Sequence, residues 1–293
     1  MRLFVFGLGD SALAYVRSVL PAAEWIGGTA RSAEKIGMLR AEGIDALRFE
    51  GRGASSEVAA AVADATHLLV SIPPSPAGDP VLVDHAADIA SAEDLEAIVY
   101  LSTVGVYGDA NGGWVDETTR PRPVSARSVE RLATENAWRN LAKGARKPLA
   151  ILRLAGIYGP GRNALANIAD GSARRLVKPG QVFNRIHVDD IAKTIAAAFA
   201  TKANGVYNVT DDEPSPPQDV VAFAAALMGV DPPPVQDFAT AELTPMARSF
   251  YGENKRVRNL RMKEVLGVRL AYPTYREGLA ALYARGEGQA DSA

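Results

Sequence analysis

Five mostly apolar residues, Arg2 to Phe6, run straight into Gly7-Leu8-Gly9-Asp10-Ser11-Ala12, which opens an Ala/Leu/Val-rich stretch of about ten residues. This is a G-x-G-x-x-A turn between a short buried strand and a helix, and it stands at the first strand of the chain. In that setting Gly7 permits the tight turn, Gly9 lets backbone N–H groups approach an anion, and Ala12 keeps helix and strand close. The helix N-terminus adds partial positive charge. The turn therefore predicts a diphosphate cradle built from Gly7, Leu8, Gly9, Asp10 and Ser11. Asp10 is read as the helix cap, its carboxylate turned away from the ligand.

Strand and helix signals then alternate. A strand is expected at Ala23–Ile26, a helix at Ser32–Ala41, a strand at Asp45–Phe49, an Ala-rich helix near Glu57–Val62 and an apolar run at His67–Ile72. A helix at Val81–Ile89, a strand at Ala97–Thr103, a long helix at Val124–Leu141 and strands at Leu149–Leu154 and Gly205–Val209 complete the pattern. Short continuous apolar strands separated by helices mean a parallel sheet covered on both faces, a doubly wound α/β fold. Ligands of such sheets sit beyond the carboxyl ends of the strands, where the glycine turn, Arg31, Ile72-Pro73 and Thr103 fall. The proline-rich connections Pro214–Pro217 and Pro232–Pro234 mark a smaller, mainly helical lobe. The expected division is 1–158 with 186–212 for the nucleotide-binding domain, and 159–185 with 213–293 for a substrate lobe.

The end of the second strand indicates which dinucleotide. An NAD site places an acidic residue about twenty positions after the glycines, to hold the ribose 2′-hydroxyl. Here Thr29-Ala30-Arg31-Ser32 carries none, and the Arg31 guanidinium is suited to a 2′-phosphate with Thr29 and Ser32 as neutral donors. NADP(H) is favoured over NAD(H).

Composition excludes several classes. A net charge of −2 gives no reason to invoke nucleic acid or an anionic membrane surface. Lys255–Arg261, the most basic stretch, reads as a solvated helix face. There is no cysteine, and the histidines are only His67, His85 and His187, so thiolate chemistry is absent and a metal site is not expected. The first apolar run is too short for an export signal and no apolar stretch is of membrane-spanning length, which fits a cytoplasmic protein.

These segments resemble the extended short-chain dehydrogenase/reductase superfamily, of the nucleotide-sugar epimerase/dehydratase type, with a Rossmann domain. The resemblance runs along nearly the whole chain. Besides the glycine turn, its carriers are Ser102-Thr103-Val104-Gly105-Val106-Tyr107-Gly108, Arg153–Gly161, Ile186–Ala192, Gly205–Val209 and Lys263–Gly267. The resemblance implies catalysis by a Ser/Thr four residues before the signature tyrosine, met here by Thr103, and by a Y-x-x-x-K pair. Family members carry a glutamate four residues after that lysine. Glu135 fits, which places arginines, Arg127 and Arg131, at the tyrosine and lysine positions.

An arginine cannot act as the proton-passing acid or base, because it never deprotonates in a protein. Arg131 can keep the cofactor-positioning half of the lysine's work or stabilise oxyanion charge, and Arg127 can bind an anionic substrate group. If protons move, the candidates are Tyr158, Tyr107, His187 and Asp116-Glu117. Of these, Tyr107 and His187 read as structural and the two carboxylates as solvated. Substrate binding is assigned to Arg162, Asn163 and Arg185, with Arg174-Arg175 nearby. Nucleotide-sugar enzymes read R-D-[FY]-I-H where this chain has Phe183-Asn184-Arg185-Ile186-His187; the arginine has moved two positions but keeps the same strand face. The leading expectation is an atypical NADP(H)-dependent oxidoreductase on a polar small molecule. A non-catalytic NADP(H)-binding sensor or scaffold and a nucleotide-sugar epimerase/dehydratase with displaced acid/base groups are the alternatives. A homodimer through the Val81–Ile89 helix and the helix bearing Arg127 is a further implication of the resemblance.

Overall fold

The computed structural model describes residues 1–289. In chain order the first half consists of β1 (Arg2–Phe6), α1 (Asp10–Val19), β2 (Trp25–Ala30), α2 (Ala33–Ala41), β3 (Asp45–Arg48), α3 (Ser56–Ala63), β4 (His67–Val70), α4 (Pro80–Ser91) and β5 (Ala97–Thr103). A 3-10 turn (Val104–Tyr107) and the two-residue β6 (Trp114–Val115) lead to α5 (Ala126–Ala145), β7 (Leu149–Leu154), β8 (Gly156–Tyr158), α6 (Ala164–Ala169), β9 (Arg175–Val177) and β10 (Arg185–His187). The remainder is α7 (Val188–Ala200), β11 (Gly205–Val209), α8 (Pro217–Met228), β12 (Val235–Asp237), α9 (Pro245–Phe250), β13 (Arg256–Val257), α10 (Leu260–Leu266) and α11 (Tyr275–Ala284).

Seven strands form one parallel sheet in the order β11-β7-β5-β4-β1-β2-β3, so the chain reverses direction across the sheet between β1 and β4. Alternation along β1 assigns its side chains to two cores: Leu3 and Val5 pack on the side of α1 and α7, Phe4 and Phe6 on the side of α3, α4 and Trp138 of α5. Both faces are thereby covered, as the continuous apolar runs required. A third cluster, with Leu165, Val220, Tyr275 and Leu282 at its centre, holds α6, α8 and α11 together. No helix among the described residues is long and apolar enough to cross a membrane.

Two expected elements moved. The second strand begins at Trp25 and continues to Ala30, instead of stopping at Ile26 before a glycine turn. Gly27 and Gly28 are strand residues because of close packing: a Cβ on Gly28 would lie 2.8 Å from the Val5 carbonyl oxygen, and one on Gly27 would strike the Trp25 ring. Of the stretch Lys255–Arg261 only Leu260 and Arg261 are helical, at the start of α10. Lys255 is buried, donating to the Gly108 carbonyl (2.8 Å) and paired with Glu253, while Arg256–Val257 form β13.

Candidate nucleotide and substrate crevice

The glycine turn leads into α1 with Gly9 as N-cap and no side chain capping it. The first-turn amides of Asp10, Ser11 and Ala12 therefore have no partner within the helix. Asp10 is the first helical residue and is exposed; the expectation that it caps α1 is corrected. The other amides of the turn are already used. Gly7 N–H donates to Thr29 Oγ1 (2.9 Å), Leu8 N–H to the Thr29 carbonyl (2.9 Å) and Gly9 N–H to the Gly7 carbonyl (2.8 Å). Thr29 and Leu8 are thus corrected as cofactor contacts: Thr29 is buried and braces the turn, and the Leu8 side chain belongs to the core.

A fit test for a diphosphate rests on the two glycines. Gly7 has φ +90°, and a Cβ there would lie 2.7 Å from Ile72 Cγ1. Around Gly9 a Cβ would meet no atom within 4 Å. Gly7 is required by the protein itself, whereas Gly9 borders open space in front of three free amides. The turn fits a diphosphate.

Arg31 stands one residue past the end of β2, exposed and without an ion pair. Ser32 Oγ accepts from Lys35 N (3.3 Å) as the N-cap of α2, so its first duty is structural. Ile72 is half-buried behind Gly7 and Pro73 is exposed beside it. With the glycine turn these residues lie beyond the carboxyl ends of β1, β2 and β4, at the switch point where ligands of such sheets bind.

At the end of β5, Thr103 Oγ1 accepts from Gly105 N (3.1 Å). A Cβ on Gly105 would lie 2.8 Å from Ser128 Oγ and 3.3 Å from Thr103 Oγ1, so two hydroxyls converge over this glycine. Ser125 Oγ donates to Ser128 Oγ (2.9 Å) and also caps α5. Neither serine was singled out from the sequence; the signal available was Ser-x-x-Ser at a helix start, which by itself reads only as a cap. Arg131 is half-buried. Its Nη1 donates to Tyr100 Oη (2.9 Å) and the Leu101 carbonyl (3.0 Å), leaving Nε and Nη2 without protein partners. Arg127 is exposed at the start of α5 and makes no ion pair.

Beneath these groups lies a closed polar network. Glu135 accepts from Ser102 Oγ (2.6 Å) and from Arg153 Nε (3.0 Å) and Nη2 (2.7 Å). The Arg153 guanidinium also faces the Tyr107 ring (4.8 Å), and Tyr107 Oη donates to Asn208 (2.8 Å). Tyr107 is structural, as expected. Glu117 is not a solvated loop carboxylate: it accepts from Asn208 N (2.7 Å), and burial pushes its carboxyl up.

Tyr158 is corrected as a proton carrier. Its hydroxyl donates to the Thr274 carbonyl (3.4 Å) and is covered by α11, where a Cβ on Gly278 would fall 2.0 Å from it. Burial pushes the Tyr158 phenol up, away from proton transfer at neutral pH, and does the same to Tyr100 and Tyr107. His187 caps α7, its Nδ1 accepting from Asp189 N (3.1 Å), with its ring packed on Tyr158 and Tyr272.

Of the three substrate residues, Asn163 is corrected: it is buried, its Oδ1 caps α6 and its Nδ2 donates to the Gly159 carbonyl. Arg162 is exposed without a side-chain partner. Arg185 is half-buried, with Nη1 bound to the carbonyls of Phe183 (3.0 Å) and Ser215 (3.2 Å) and its remaining nitrogens without protein partners. Arg174 and Arg175 brace the lobe through Gln236, Glu242 and Pro233.

A parallel sheet of this strand order, with a glycine turn at its switch point, defines a Rossmann-type α/β protein. Residues 81–210 match the NAD dependent epimerase/dehydratase family. The chain is 49% identical to a functionally unknown conserved protein from Silicibacter pomeroyi, whose structure superposes with a TM-score of 0.88 over 97% of this chain and 99% of that one. It is 25% identical to a putative NAD-dependent epimerase/dehydratase from Methylobacillus flagellatus (TM-score 0.69; 97% and 98% covered). Protein YeeZ of Escherichia coli K12 is 28% identical over 286 residues, 93% of this chain and 96% of that protein. Residues 81–210 thus carry an NAD dependent epimerase/dehydratase domain, and on α5 arginines, Arg127 and Arg131, stand where the resemblance places a Tyr-x-x-x-Lys pair.

Proposed function

We propose that the protein is an NADP(H)-dependent oxidoreductase acting on a polar small molecule that carries an anionic group. The observation that carries this reading is the convergence of the Thr103 and Ser128 hydroxyls over Gly105, beside an Arg131 held at the end of β5. The α1 amides of Asp10, Ser11 and Ala12 hold the diphosphate and Arg31 holds the 2′-phosphate. Bound there, the nicotinamide supplies or accepts a hydride. Thr103 Oγ and Ser128 Oγ donate hydrogen bonds to the substrate carbonyl oxygen, and the permanent charge of Arg131 stabilises the negative charge that develops on it. In carbonyl reduction the hydroxyl chain from Ser125 at the start of α5 to Ser128 brings a proton from solvent to the alkoxide oxygen, and in alcohol oxidation it carries that proton out, in place of a phenol. Arg185 holds the anionic group of the substrate.

NADPH oxidation across a panel of carboxylated and phosphorylated carbonyl compounds tests the proposal, with Thr103→Ala and Arg131→Ala as controls. Activity indifferent to both changes removes the site. Arg31→Ala should weaken NADP(H) by about tenfold to a hundredfold, the worth of one charge-assisted contact, and leave NAD(H) unchanged. Equal loss for both nucleotides refutes the role given to Arg31.

A second reading, binding without turnover, is favoured by the arginines at 127 and 131 and by the burial of Tyr100, Tyr107 and Tyr158. It requires tight NADP(H) binding and no substrate-dependent oxidation. Val83 of α4 and Val129 of α5 are 67% and 51% exposed on neighbouring helices, and they support association of two copies through this face.

A further inference from the structure

The crevice does not account for a cationic hollow at the other end of the sheet. Where β7 and β11 begin, a cavity of about 580 Å³ is lined by Arg139, Lys143, Arg146, Lys147 and Lys202, and no carboxylate lines it. The chain as a whole carries a net charge of −2, so this is a local excess opposed to the overall balance.

The pairing of these cations leaves the excess standing. Arg139 reaches the buried Glu135 (3.2 Å), and Lys202 meets Glu96 (2.7 Å) on the surface, where such a pair is screened. Lys147 Nζ donates to a backbone carbonyl, that of Glu93 (2.9 Å), which brings no countercharge. Lys143 and Arg146 have no ion pair. The negative end of the α5 dipole explains cations in its last turn, which covers Lys143 and its neighbour Arg146. It does not explain Lys202, which arrives from the separate connection between α7 and β11.

The floor has a different character. Pro148 is half-buried at the floor, over Ala142, Leu149 and Ile151, which are buried in the core beneath it. The exposed Asn204 stands at the rim, with its Oδ1 accepting from Leu149 N (3.4 Å) and its amide nitrogen free to donate outward. A cavity of this size falls within the range of small-molecule sites, and an anion entering it relieves the repulsion among the like charges that remain unpaired. The location is also separate from the crevice. Leu154, the last residue of β7, pairs with Thr103, whereas the hollow lies at Leu149, roughly 17 Å away along the strand.

We infer that this hollow is a second ligand site, taking a small organic polyanion of the nucleoside polyphosphate class, with the phosphates on the lysine and arginine side chains and the organic body against Pro148. The inference does not rest on the oxidoreductase reading. Calorimetric titration of the full chain with ATP as probe tests it, alongside inorganic tripolyphosphate, the surface double variant Lys143→Glu/Arg146→Glu, and Arg31→Glu at the crevice. The expected result is saturable ATP binding, weakened at least tenfold in the double variant, unchanged in Arg31→Glu, and several-fold tighter than tripolyphosphate. Matching thermal unfolding of the variants shows that the loss is local. Absent ATP binding, equal binding by the double variant, or loss confined to Arg31→Glu overturns the site. Equal affinity for ATP and tripolyphosphate overturns the ligand class.

Discussion

Replacing Glu135 by alanine should destabilise the protein by about 3–5 kcal/mol, the cost of stranding one partner of a buried ion pair. The Glu135 carboxylate is fully buried and accepts four bonds: Ser102 Oγ (2.6 Å) and Arg153 Nε (3.0 Å) on one oxygen, Arg153 Nη2 (2.7 Å) and Arg139 Nη2 (3.2 Å) on the other. Counting each as charge-assisted gives about 6–12 kcal/mol, which overshoots, because Arg139 is partly exposed and turns to water when released. Arg153 has no such escape. It is 2% exposed in β7, so its charge remains buried and half-satisfied. For a chain of 293 residues the unfolding entropy is about 0.6 kcal/mol per kelvin, and the expected fall in Tm is about 5–8 °C. Urea unfolding at pH 7 and scanning calorimetry measure it. The double variant Glu135→Leu/Arg153→Met removes both charges and should recover most of the loss. A single variant within 1 kcal/mol of the parent, or a double variant no better than the single, would refute the view that the stranded cation sets the cost.

Gly9→Ala should leave Tm within about 2 °C of the parent, since a Cβ there meets no protein atom within 4 Å, yet weaken NADP(H) binding at least tenfold; Gly7→Ala, at φ +90° against Ile72, should lower Tm. Melting curves and fluorescence titration of the two variants decide this, and equal Tm losses would remove the distinction. Burial raises the Asp211 carboxyl to about 8. Between its ordinary value near 4 and that point the folded chain holds one proton more than the unfolded chain. Asp211 therefore makes stability fall as pH rises from ~4 to ~8, by at most about 1.4 kcal/mol per pH unit, and contributes no slope above that. Asp211→Asn should flatten the trend in urea unfolding series from pH 5 to 8; superimposable slopes would sink the assignment. On the proposal that two copies associate through the α4–α5 face, Val129→Glu should lower the sedimentation coefficient while leaving nucleotide affinity unchanged, and an unaltered coefficient would exclude that face.

Much of the scaffold could be read from local pattern. The limits of β5, β7 and β11 fall where apolar runs and their breaks put them, because period and length are local properties. The second strand was cut short because Gly27-Gly28 looks like a turn. Its continuation depends on Val5 and Leu8 lying against those glycines, which no neighbouring residue in sequence announces. The site was legible in kind and mistaken in detail. Thr103 and Arg31 stand at the ends of their strands, yet Thr29, Leu8 and Asn163 spend their polar groups on the protein itself.

The sequence by itself determined the alternation of helices with the strands of the main sheet, the glycine turn at the first strand, the arginines at 127 and 131 and the absence of acid at the end of β2. Each is a property of a few adjacent residues. Only the tertiary structure decided which polar atoms remain free. Thr29, twenty-two positions away, occupies the Gly7 amide, Gly278 of α11 closes over Tyr158, and Ser128 comes to face Thr103 across Gly105. Hydrogen-bond partners and close contacts of that kind are made between distant segments, so they exist only once the sheet has brought those segments together.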